Sequence, residues 1–228
     1  MTFVDTIALQ LFTVSFVAVL LFYAGISAYW EYLKRGFREA YKLMRGSAVM
    51  LSTIGVVILI IGFWGEFTWP LSAIVSGSNV LGAYDILFYD PYLMLGMALI
   101  GFSACIILRL HTRYAGLFAL MVGALSIYYG INAYNLGLTK EPIATLLLYL
   151  AFGITGIFSF PFTLFIDRII MEPLQNEGTG SSTQKPLTPI WRLAFTCFVI
   201  FLLFSAISAI VAIYIGGGAL APHLSNPP

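Results

Sequence analysis

An all-α integral membrane protein, a bundle of six transmembrane helices with both termini outside, is predicted by two observations. The first is composition: 60% of the 228 residues are apolar and only 9% charged, with a mean hydropathy of +0.95, whereas soluble domains carry about 25% charged residues. The second is the placement of cations. If the apolar runs are read as six spans, every Lys and Arg except Lys140 falls on one side, which is the positive-inside pattern. Outside, Asp5, Glu66, Asp85, Asp90 and Glu141 face Lys140 alone, so that side carries a formal charge of -4 and the inner side +5. The chain is long enough for one transmembrane domain and little more.

The spans follow from hydropathy in chain order. The first runs from about Thr6 to Tyr29, and its lack of a preceding Lys or Arg argues against a cleaved signal peptide. The cationic segment Glu31 to Arg45 precedes the second span, Met44 to Trp64, and is the strongest orientation signal. An outer loop, 65–91, leads to the third span, Tyr92 to Leu108. The short inner connection Arg109-Leu110-His111-Thr112-Arg113 makes spans three and four antiparallel neighbours, the fourth covering Tyr114 to Leu136. The fifth covers Ile143 to Ile166 with Pro161 as an expected kink. A polar inner loop, 167–190, whose 177–184 stretch reads as a flexible linker, precedes the sixth span, Trp191 to Ile215.

Span four carries the most regular pattern. Gly116, Ala119, Gly123, Ser126, Gly130, Ala133 and Gly137 occupy the first and fourth positions of successive heptads, the period of left-handed helix packing with close backbone approach. Span two has a shorter version in Ala48, Gly55 and Gly62. Packing inside the bundle is the expected use, and a subunit interface the alternative.

The outer connection is the chemically richest stretch, with three acids and no cation between Gly62 and Leu95 and seven aromatics from Trp64 to Tyr92. Asp90 before Pro91 reads as an N-cap followed by a first-turn proline, and Glu141 before Pro142 likewise. Glu66 instead follows the carboxyl end of span two, where the helix dipole disfavours it, so helix stability does not explain it. Glu66 and Asp85 with Trp64, Trp69, Tyr84 and Tyr89 form a candidate outer acidic and aromatic site. An interfacial aromatic belt that also takes in Phe67 and Tyr92 is the competing account. A divalent ion between Glu66 and Asp85 lacks further ligands in the sequence, and no metal is expected. Centred on residues 62–96, the Trp64-Gly-Glu-Phe-Thr-Trp-Pro70 element followed by Asp90-Pro-Tyr92 resembles an uncharacterised domain-of-unknown-function family of small, mainly archaeal, multi-span membrane proteins. That resemblance implies about six spans and no particular chemistry.

Exclusions limit the activity. His111 and His223 lie on opposite faces, which removes a bis-histidine haem, and no Lys within a span is available for a Schiff base. Cys105 and Cys197 are read as packing residues, and no zinc-helix, redox or nucleophile-elbow motif is present. No catalytic residue, cofactor or nucleic-acid partner is expected. The expected function is a non-catalytic accessory or structural subunit of a larger complex in the plasma membrane, with lipid and other membrane subunits or further copies as partners. The alternatives are a channel or transporter with an acidic outer mouth, and a membrane enzyme acting on lipid or quinone with Glu66 as acid or base.

Overall fold

The computed structural model describes the backbone of residues 6–76, 79–139, 141–175 and 189–225, and nearly all of it is helical. The elements are α1 (Thr6–Arg35), α2 (Phe37–Ser76), α3 (Asn79–Ile107), α4 (Arg113–Asn135), α5 (Pro142–Ile166), a π-helical turn (Asp167–Met171), the short α6 (Glu172–Gln175) and α7 (Pro189–Ser225). Six helices are long and apolar enough to cross a membrane, and each contains most or all of one predicted span. Asp5, Lys140 and the 177–184 linker lie outside the described residues, as do the side chains of Trp69, Tyr84, Asp85 and His223.

Three expected connections are corrected. The cationic segment 31–45 is helix on both sides of a single break at Gly36, whose φ of 85° suits a residue without Cβ. Local pairs support these helix ends: Glu39 with Lys42 at 2.6 Å and Glu31 with Arg35 at 3.6 Å. The described residues of the expected loop 65–91 are also helical, α2 running on to Ser76 and α3 starting at Asn79. Pro91 therefore sits inside α3, and Asp90 does not cap it. Proline at 91 leaves the Leu87 carbonyl without its usual helical donor, and the Tyr149 hydroxyl from α5 supplies the missing hydrogen bond. Finally, residues 167–175 of the expected inner loop continue α5 through the π-helical turn and α6, where Arg168 pairs with Glu172 at 2.9 Å.

Each long helix packs on the next, α1 through α5, and α7 returns to α1, so the six close a ring. The α4–α5 and α2–α3 pairs are the most intimate and the α3–α4 seam is the thinnest. Toward the cation-rich end the ring interior is filled by aromatics. Phe162 stacks on Phe201 at 4.4 Å and on Phe198 at 5.5 Å between centroids, and Tyr29, Phe165 and Phe195 extend the cluster.

Glycine sets the closeness of α4 to α5. A Cβ placed on Gly123 would lie 2.5 Å from the Gly153 carbonyl oxygen and 2.7 Å from the Ile157 nitrogen, and one on Gly156 would lie 2.6 Å from the Gly123 Cα. Gly116 and Gly130 are closed in the same way by Thr163 and Tyr149. The small-residue stripe thus faces α5 within the chain as far as Ala133. Gly137 departs from it: with φ 60° it ends α4, where Leu138 N–H reaches the Ala133 carbonyl at 3.0 Å and Gly137 N–H the Tyr134 carbonyl at 3.2 Å, a Schellman closure.

At the cation-rich end α5 also caps α4. Asp167, 1% exposed, accepts hydrogen bonds from the Thr112 N–H (2.6 Å) and hydroxyl (2.9 Å) and from the Arg113 N–H (3.1 Å) and Nε (3.2 Å). The carboxylate meets the free amides and positive dipole of the α4 N-terminus from another helix, a role that Thr112 does not fill with its own side chain. Before it, α3 ends in a second Schellman closure with Arg109 at φ 59°, a conformation costly for a non-glycine residue. Arg109 is held there by Gln175 Nε2, which donates to its carbonyl at 2.7 Å, and by its guanidinium lying 5.6 Å from the Tyr41 ring centre.

Two predictions follow for thermal unfolding in detergent, read by reaction of the half-buried thiols Cys105 and Cys197 with a fluorogenic maleimide. Gly123→Ala should destabilise by about 1–3 kcal/mol through overpacking, whereas Gly101→Ala, with nothing within 4 Å of its added Cβ, should be neutral or slightly stabilising. Asp167→Ala should cost about 3–5 kcal/mol because the buried donors lose their acceptor, and Asp167→Asn, which keeps the shape, less. Equal midpoints for the two glycine variants would contradict the close-approach account.

Candidate functional site: a chamber inside the helix ring

The predicted acidic and aromatic end is only partly gathered into one place. Trp64 and Phe67 are exposed on the outside of the ring, as a belt requires, but Tyr89 is fully buried and Tyr92 nearly so. Tyr89 and Tyr92 are thus corrected from belt to interior positions. The reason lies in Gly65, since a Cβ there would fall 1.9 Å from the Tyr89 ring. The glycine of the Trp-Gly-Glu element is therefore the recess that admits Tyr89. Asp90 accepts a hydrogen bond from the Tyr129 hydroxyl at 2.8 Å, and Glu66 lies within electrostatic reach of the same phenol. This end ties α2, α3, α4 and α5 together through side chains. Among the described residues no three of His, Cys, Asp and Glu converge in a way that could hold a metal.

Deeper in the ring is a cavity of about 160 Å³ walled by α1, α3, α4, α5 and α7. Among the described residues its lining contains none that is charged and is overwhelmingly aliphatic and aromatic. Gly116, Ala119, Gly123 and Ser126 form part of the wall, so the same stripe that lets α4 approach α5 also leaves room on its flank. Polar groups in the lining are almost all committed. The hydroxyls of Ser126, Thr155, Ser159 and Ser208 donate to the carbonyl four residues back in their own helices, at 2.7–2.9 Å. Thr163 donates to the Phe160 carbonyl at 2.8 Å and Tyr149 to the Leu87 carbonyl.

Two groups are left over. Gln10 and Tyr92 line the chamber at 3% and 4% exposure, and among the described residues neither the Gln10 Nε2 nor the Tyr92 hydroxyl makes a hydrogen bond of ordinary geometry. Thr13, whose hydroxyl donates to the Leu9 carbonyl at 2.7 Å, lies beside Tyr92 and keeps lone pairs that the phenol can reach by a small shift, so Gln10 is the more isolated of the two. Sequence reasoning that sought ionisable groups passed over Gln10. The available signal was its being the one amide side chain in the first apolar run. Nearer the cation-rich end a smaller cavity of about 40 Å³ shares Leu21, Phe102 and Phe162 with the chamber.

Tyr149→Phe should lower stability by about 1–3 kcal/mol, because the buried Leu87 carbonyl loses its donor. Tyr129→Phe, at a half-buried site, should cost less. Chemical denaturation of the two variants in the same detergent tests the order, and a reversed order would refute the role assigned to Tyr149.

No curated protein and no solved structure is significantly similar to the chain. A family model described as "Protein of unknown function (DUF981)" matches residues 1–226. The resemblance read at residues 62–96 thus widens to almost the whole sequence, and a ring of six apolar helices around an uncharged chamber is the architecture of a chain that belongs to the DUF981 family.

Proposed function

We propose that this protein is a plasma-membrane protein that binds a small, predominantly apolar molecule within the bilayer, with the cation-rich end in the cytoplasm and both termini outside. The observation that carries the reading is the uncharged chamber of about 160 Å³, set in a ring whose helices elsewhere meet glycine against backbone. Packed interiors leave few voids larger than a water molecule. An engineered apolar cavity of about 150 Å³ holds benzene. The accessory-subunit expectation drew on the absence of catalytic motifs and on the small-residue stripes and aromatic outer cap, and the stripe on α4 is occupied by α5 of the same chain. A transport reading is favoured by one further observation: the smaller cavity continues the chamber toward the cation-rich end, with Phe162 between them.

The test uses fluorobenzene and the protein in nanodiscs. A bound ¹⁹F resonance distinct from the lipid-dissolved signal is expected, and it should vanish in Ala98→Leu, which fills the wall at a nearly buried position. Absence of that resonance, or its persistence at full intensity in the filled variant, would reject the binding reading.

A further inference from the structure

We propose that the chamber selects neutral carbonyl compounds with a ring-sized head, the carbonyl oxygen accepting hydrogen bonds from Gln10 Nε2 and the Tyr92 hydroxyl. The inference rests on the binding reading above and adds the chemical class of the ligand. It starts from an imbalance in the polar accounting of the lining. The Ser126, Thr155, Ser159 and Ser208 hydroxyls, with those of Thr163 and Tyr149, are already bonded to backbone carbonyls. Among the described residues Gln10 Nε2 is buried without a partner, and the buried Tyr92 hydroxyl, with Thr13 beside it, makes no hydrogen bond of ordinary geometry; a buried polar group left unmet costs stability. They come from α1 and α3, so the requirement is built from two helices that face one chamber.

The donor set narrows what can satisfy it. An amide nitrogen only donates, so the partner must accept. An anion would accept, but among the described residues the lining holds no Lys, Arg or His to compensate its charge. A hydrocarbon fits the walls and leaves both donors unmet. A carbonyl oxygen has two lone pairs and can take one hydrogen from each donor. The volume, about 160 Å³, limits the enclosed part to roughly one ring, by comparison with the benzene-sized cavity. A longer apolar body would have to pass out between helices, and α3 and α4 meet over the thinnest seam of the ring.

The test compares acetophenone with α-methylstyrene, which has the same shape with a methylene in place of the carbonyl oxygen. Binding is measured by equilibrium dialysis against protein-loaded nanodiscs, with empty nanodiscs correcting for partition into lipid. In the unaltered protein both probes should bind. Gln10→Met, close in size to glutamine, should weaken acetophenone about three- to tenfold, the effect of one lost hydrogen bond, and leave α-methylstyrene unchanged or tighter. Tyr92→Phe, which removes one oxygen, should do the same by itself, so the result does not depend on one variant folding. If both probes bind and neither variant separates them, the carbonyl assignment is wrong while the chamber remains a binding site; water held between Gln10 and Tyr92 would give that pattern. If neither probe binds the unaltered protein, the binding reading fails and the carbonyl assignment with it.

Discussion

The approach of α4 to α5 at Gly123, Gly153 and Gly156 is the constraint from which the rest of the ring takes its shape. Backbone there lies against backbone, and in apolar surroundings such closeness supplies the dispersion contacts that burial of side chains would supply in water. Because α4 is drawn toward α5, its other flank meets α3 only thinly. The interior space opens along that unequal wall. A ring with uniformly sized residues on α4 would sit at one average spacing, and the chamber would be partitioned among side chains.

Unmet backbone groups form the second organising demand, since a buried amide or carbonyl left without a partner costs stability. Pro91 releases the Leu87 carbonyl and Tyr149 answers it. The α4 amides find Asp167, and the strained Arg109 carbonyl finds Gln175. In each case the answering group comes from a different part of the chain, so a local irregularity becomes a tertiary tie. Gln10 and Tyr92 stand out against that background because the chain answers every other hydroxyl named in the chamber wall from its own backbone.

How much of this was legible in the sequence depended on the range of the interaction. Hydropathy and charge placed the spans, because both are properties of consecutive residues. The heptad on α4 announced a close contact, though it could not say that Gly153 and Gly156 would be opposite. The 65–91 stretch read as a loop, with Asp90-Pro91 as the cap and first-turn proline of the next helix, yet α2 runs to Ser76 and α3 starts at Asn79, and at Pro91 the freed carbonyl is met from 62 residues away. Asp167 looked like the first residue of a loop for a similar reason, its partners lying 54 and 55 residues earlier. The chamber could not be read at all, since its walls come from five helices and its defining property is which polar atoms remain unused.

The length of α2 has a practical side. Its 40 residues make a rod of about 60 Å, twice the ~30 Å hydrocarbon thickness of a bilayer. A membrane cannot cover it end to end, and α3 runs beside it for much of the way. The pair thus gives a 25.1 kDa protein helical mass beyond the faces of a bilayer, a feature by which single-particle images could be aligned without an added antibody fragment.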